Sequence, residues 1–465
     1  MTGIADLSSG DLVRLYRTHA LSPVEVAADV LARIEASRAI NAFMPLEPDR
    51  VLAEARAAEE RWRRDAPAGR IDGVPVTIKD NLWVARMPTL RGSLSSDHTP
   101  AKEDAPAVAR LREQGAVFIG KTCMPDYGWI GVCHSPLTGL TRNPWNLERT
   151  TGGSTGGGAA AALLNLGVLH LGTDGAGSLR IPAAFTGVFG VKPTYGQVPA
   201  YPPSPFNVLA HQGPITRSVG EAAVMLSIIS APDARDMTAW NSPAVDFAAG
   251  LDDGVSGLRI AWSPRLGHEV ALDPEVEAAT KRTLALLADG GAIIEAADPD
   301  ISDAGGIIRT LWFAGAKSIV DSVPDNRRSQ MDPGLLQVAE WGGSVTTSAY
   351  IAAYSARNAI DRTMIDFHRR YDLLVTPTMP VTAFAVGHTS PPNSVFGKDW
   401  LDWSPYTYPF NLTQQPAASV PCGLSSRGLP IGLQVIGPRG SDRLVLRAAR
   451  AIERMQPFPQ LSAKS

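Results

Sequence analysis

The stretch TTGGSTGGGAAAALLNLGVLHLGTDGAGSLRIP (150–182) decides how this chain folds. A glycine/serine loop around Ser154 runs into the small-residue helix AAAALLNLG, then into the strand VLHLG, and ends in a second such loop around Ser178. Glycines let backbone N–H groups point inward with no Cβ in the way. Such groups can cradle a phosphate, or hold the oxyanion formed when a serine attacks a carbonyl. A phosphate-binding P-loop needs a lysine that neither loop carries, and GTDGAG has G-x-x-G-x-G spacing, wrong for a dinucleotide fingerprint. Gly152-Gly153-Ser154-Thr155-Gly156 matches the G-x-S-x-G elbow, which needs a strand directly before it. The preceding RNPWNLERTT reads as loop, and no histidine stands out as a partner. Tight turns with incidental serines remain an open reading at this level.

Upstream, GVPVTIK (73–79) is a short β-branched run that reads as a strand ending at Lys79. Asp104 opens a helix through Glu113, Gly115 ends it, and Ala116 to Lys121 is the next strand. This alternation argues for an α/β architecture. The first 65 residues read as helices: Ser22-Pro23-Val24-Glu25 is a capping box, and Ala53 to Arg64 is a second helix.

Downstream, Ser218 to Glu221 is another capping box, opening a helix through Ile229. Residues 232–257 read as loop, Asp273-Pro274-Glu275 starts a helix, and 299–369 is mostly helical. Tyr371 to Pro377 reads as a buried strand, and 380–410 is dominated by glycine, proline and aromatics. A strand (LPIGLQVIG) and an amphipathic helix (DRLVLRAARAIERM) close the chain.

Of 465 residues, 44% are hydrophobic and 19% charged, the balance of a globular protein with a sizeable core. A net charge of −3 leaves no excess of cations to displace counterions from nucleic acid. Cys123, Cys133 and Cys422 are an odd number without C-x-x-C spacing, which suits a reducing compartment. MTGIADLSSGDLVRLYR lacks the pattern of a signal peptide, and the run 159–172 is too short and too polar for a membrane helix. A soluble cytoplasmic chain is expected. His268-Glu269 lacks the second histidine of H-E-x-x-H, and no metal or cofactor is expected.

Three blocks together resemble the amidase signature family: GVPVTIKDN (73–81), TTGGSTGGGAAAA (150–162) and GTDGAGSLRIPAAFTGVFGVKPTYG (172–196). The likeness continues through HQGPITRSV (211–219), YDLLVTPTMP (371–380) and PAASVPCGLSSRGLPIGLQVIG (416–437), so it spans nearly the whole chain. It implies one amidase domain over 1–465 with a single large mixed β-sheet covered by helices. Its parts would be N-terminal helices (1–65), a core (66–230 and 370–460) and a variable helical region (231–370).

The resemblance also implies hydrolysis of the carbon–nitrogen bond of a small carboxylic amide through a serine acyl-enzyme. Carried over by motif, Lys79 is the base, Ser154 the bridging residue after a cis peptide bond, and Ser178 the nucleophile. The N–H groups of Gly175, Ala176, Gly177 and Ser178 would form the oxyanion hole, supported by Thr155, Asp174 and Arg180. The physical requirement is plain. A lysine near its reference pKa of about 10.4 is protonated at neutral pH, and only burial, by lowering that value, frees the amine to accept a proton. Without the serine loops, a lysine at a strand end would be read as snorkelling to water.

Thr155 stands where the family often has serine, keeping a hydroxyl. Ala176 stands where glycine is common, adding a methyl that narrows the hole or opposes a left-handed backbone. The family also contains the ammonia-supplying component of a tRNA-dependent amidotransferase, which has an arginine for the glutamine carboxylate where this chain has Arg357. PPSPFN (202–207) looks more like the stand-alone type, and an inactive binding protein of the same fold is a third reading. Tyr127, Trp129, Phe206 and Trp312 are candidates for an apolar acyl pocket, though ordinary core would explain each. The expected partner is a small-molecule amide, with no nucleic acid or membrane; a homo-oligomer is left open.

Overall fold

In the computed structural model, which describes residues 3–240, 245–392, 395–397 and 399–461, ten strands form one mixed sheet. Parts of the 232–257 and 380–410 loop readings, and the first two residues of the N-terminal stretch, lie outside the described residues. From edge to edge the strands are Ile293–Ala296, Arg259–Trp262, Leu373–Pro377, Pro430–Ile436, Ala417–Leu424, Phe189–Lys192, His211–Thr216, Leu169–Asp174, Pro75–Lys79 and Val117–Thr122. Pairing is parallel toward both edges and antiparallel in the middle. The parallel neighbours need crossovers, and helices supply them: Pro106–Glu113 lies between the strands ending at Lys79 and Thr122.

Strands covered on both faces read as continuous apolar runs, and all of Pro75–Lys79 is buried. The Ser178 loop follows the sheet strand Leu169–Asp174, and the Ser154 loop lies between the strand Asn146–Thr150 and the helix Gly156–Leu163. Gly156–Leu163 is a helix whose first turn is glycine. It lies so close to the chain at Cys123 that a Cβ on Gly157 would come within 2.6 Å of the Cys123 nitrogen. No larger residue fits there, so the motif's glycines are packing requirements as well as turn residues.

Several expectations need amendment. The 231–370 segment is not purely helical, since it contributes Arg259–Trp262 and Ile293–Ala296 to one sheet edge. RNPWNLERTT is not plain loop: Arg142–Asn143 and Asn146–Thr150 pair as a small separate hairpin. Asp104 does not cap a helix, which starts at Pro106; its carboxylate pairs with Arg112 and accepts the Ala85 N–H instead. At Ser218 only half of the capping box forms, because the Glu221 carboxylate reaches across to Ser9. The Ser22 capping box forms as read. Among the described residues, no helix is long and apolar enough to cross a membrane.

Candidate active site

Lys79 ends its strand with no exposed surface. Its Nζ lies 2.7 Å from Ser154 Oγ, 3.0 Å from Thr155 Oγ1 and 2.9 Å from Thr173 Oγ1. Three hydroxyls match a neutral amine, which has two N–H donors and one lone pair. Burial pulls the Lys79 amine down to about 7, against the opposing pull of Cys133 and Asp174. The Gly153–Ser154 peptide is cis. The Thr155 N–H donates to the Ser178 carbonyl at 3.1 Å, which ties the two loops together.

Asp174 and Arg180 brace the second loop from inside. Both side chains are fully buried, and the guanidinium meets both carboxylate oxygens at 2.9 Å. Arg180 also donates to the Thr407 carbonyl, Gln434 Oε1 and Asn411 Oδ1. Burial acts to raise the Asp174 carboxyl, but Arg180, Lys192 and Asn411 outweigh it and hold the group well below the ordinary carboxylate range.

The same carboxylate accepts the Gly177 N–H at 2.7 Å and the Leu179 N–H at 3.2 Å. The Gly177 N–H is therefore engaged, which removes it from the four donors expected to face an oxyanion. Among the described residues, the N–H groups of Gly175, Ala176 and Ser178 have no protein acceptor. The left-handed position of this loop is Gly177, at φ 132°, and not Ala176. The alanine methyl therefore opposes no backbone requirement.

Ser154 and Ser178 open onto a cavity of about 1010 Å³, which Tyr127, Phe206 and Trp312 also line. Phe206 stacks on Trp312 with ring centroids 3.8 Å apart. Trp129 is not part of this wall. It lies behind it, its carbonyl accepting the Trp312 indole N–H, its ring so close to Gly334 that a Cβ there would come within 2.6 Å. The PPSPFN segment contributes Pro202 to Phe206 to the cavity. Arg357 does not reach it; its guanidinium lies over the Tyr354 ring, 4.9 Å from the centroid.

Two residues escaped the reading of the sequence. Thr173 Oγ1 touches Lys79 and also accepts from Asn81 Nδ2 at 3.0 Å. Both stand inside quoted motifs, KDN and GTD, one or two positions from a residue that was singled out. The strand register Thr77↔His170 and Ile78↔Leu171 is what brings them together, and no local pattern encodes it.

The family model described as Amidase matches residues 25–446. The chain belongs to the amidase signature family. This amidase is 34% identical to an acylamidase from Rhodococcus erythropolis, over 97% of the chain and 96% of the relative. It is also 34% identical to one component of the glutamyl-tRNA(Gln) amidotransferase of Moorella thermoacetica, over 97% of each. Among solved structures, a bacterial aryl acylamidase of the amidase signature family superposes with a TM-score of 0.90 at 26% identity, covering 97% of this chain and 96% of that one. As a family member the amidase is an enzyme acting on carbon–nitrogen bonds of amides.

Proposed function

We propose that this amidase hydrolyses a small carboxylic amide through an acyl-enzyme on Ser178, with Lys79 as the base and Ser154 as the relay between them. The observation that carries the proposal is the buried Lys79 amine, drawn down to about 7 and 2.7 Å from Ser154 Oγ. As Ser178 Oγ attacks the amide carbon, its proton passes to Ser154, whose own proton passes to the lone pair of Lys79. The N–H groups of Gly175, Ala176 and Ser178 receive the developing oxyanion. Protons then return along the relay to the leaving nitrogen, the C–N bond breaks, and water attacks the ester by the same path.

Stand-alone action on amides is favoured over ammonia supply to a partner. Arg357 lies away from the cavity, where it cannot bind a substrate carboxylate, whereas the 202–206 segment lines the cavity. The acylamidase relative points the same way. Three buried, unpaired cysteines suit a cytoplasmic setting. The test is amine or ammonia release from aromatic and aliphatic amides by the purified chain alone. Turnover lost in Ser178→Ala is expected; equal rates for parent and variant would defeat the assignment of Ser178, no turnover by the parent would favour a binding protein, and turnover only with a partner would favour the amidotransferase reading.

A further inference from the structure

Arg91 is a cation that the proposed chemistry does not use, and it lines the same cavity as Ser178. Its backbone is left-handed, at φ 54°, and is held from two sides. Its N–H donates to the carbonyl of Asp80, the neighbour of Lys79, at 3.4 Å, and its carbonyl accepts the Tyr127 N–H at 2.8 Å. The Asp80 carboxylate accepts the Gly92 N–H at 3.0 Å and sits 3.5 Å from Lys121 Nζ. The arginine is thus mounted on a half-buried, cross-braced turn, rigidly related to the proposed catalytic lysine.

Its charge is left over. Asp80 is matched by Lys121, and the Arg91 guanidinium donates only to the Thr89 carbonyl, at 3.2 Å, with no carboxylate paired to it among the described residues. Its guanidinium carbon lies 6.0 Å from the centre of the Tyr127 ring, another wall of the cavity. The other charged groups lining the cavity are Asp97 and Arg327; hydrogen bonds from Thr99 lower the Asp97 carboxyl, with a smaller pull from Arg327. Two arginines against one aspartate leave a net positive charge on the wall of a cavity of about 1010 Å³, more space than a small amide fills.

We infer that Arg91 binds a carboxylate carried by the amide substrate away from the scissile bond, so that this amidase prefers acidic amides. The inference rests on the amidase reading of the site. A guanidinium presents a planar fork that matches a carboxylate, which a lysine does not.

The test compares two matched pairs of anilides. N-acetyl-4-aminobenzoate against acetanilide places the carboxylate on the leaving amine; glutaric acid monoanilide against pentananilide places it on the acyl side. Within at least one pair, kcat/KM should favour the acid about ten- to a hundredfold, chiefly through KM, and added salt should shrink the ratio. Arg91→Gln should bring the ratio near one, and Arg91→Lys should keep part of it. Calorimetric titration of Ser178→Ala protein with the same four compounds reads the preference without turnover. Ratios near one in the parent, or a preference that survives Arg91→Gln, overturn the inference. Ser178-dependent cleavage without a carboxylate preference defeats Arg91 alone. A binding preference without any cleavage by the parent instead defeats the hydrolase reading.

Discussion

The Asp174 carboxylate accepts the Gly177 N–H at 2.7 Å while its other contacts fasten it to Arg180. One buried ion pair thereby sets the backbone on both sides of Ala176 and Ser178. Replacing one partner leaves an uncompensated buried group, which costs about 3–5 kcal/mol. Arg180→Met should destabilise the fold by that order in urea unfolding and lower kcat, with little change in KM. Asp174 is held below its ordinary range, so its contribution is complete above the unfolded carboxyl value near 4 and fades as pH falls below it. The loss caused by Asp174→Asn should therefore be constant from pH 5 to 8 and shrink in more acidic solution.

Gly177 has φ 132°, and a Cβ there would come within 2.5 Å of Thr407 Oγ1 and 2.9 Å of Ile181. Gly177→Ala should lower thermal stability and activity together, by strain of about 1–3 kcal/mol and displacement of the loop. Ala176→Gly, which adds no contact and relieves none, should leave kcat within a few-fold. A large gain in kcat would show that the methyl does narrow the site.

In the proposed mechanism Lys79 trades stability for chemistry. Between pH 7 and 10.5 the unfolded chain holds a proton that the native lysine lacks, so native stability rises with pH across that window. At or below neutral pH the penalty is full, roughly 5 kcal/mol for this shift. Lys79→Met removes it but forfeits three hydrogen bonds worth about 1 kcal/mol each. The variant should be inactive yet more stable than the parent by about 2 kcal/mol at pH 6. Chemical denaturation across pH should show that advantage vanish at about pH 8.5 and reverse, to favour the parent by about 2 kcal/mol, as pH approaches 10.

Phe206 and Trp312 form one stacked unit in the cavity wall. Phe206→Ala should raise KM for aromatic amides about tenfold, through loss of about 1–2 kcal/mol of apolar contact, and affect short aliphatic amides much less. Equal effects on both classes in steady-state kinetics would remove Phe206 from substrate binding.

The glycine/serine loops, the Lys79 strand and the α/β alternation were legible because each rests on local chemistry: glycine spacing, β-branched runs, capping residues; the single mixed sheet was expected only from the family resemblance. What was not legible depends on which strand lies beside which. The engagement of the Gly177 N–H needs the position of the Asp174 side chain, set by Asn411 directly and by Gln434 through Arg180, both from the far end of the chain. Trp129 and Phe206 look alike as isolated aromatics, and only packing sends one behind the wall and the other into it. The edge strands Arg259–Trp262 and Ile293–Ala296 were hidden in a region read as helical because each is only 4 residues long.

The most direct measurement is the pH dependence of kcat/KM for an amide whose own groups do not titrate between pH 5 and 10. An uncharged Lys79 amine as base requires activity to rise with pH through a single ionisation near 7 and to level off above it. Lys79→Ala should abolish the rise along with the activity. A rate that is flat from pH 5 to 9, or a rising limb that persists when Lys79 is replaced, would contradict this role for the lysine.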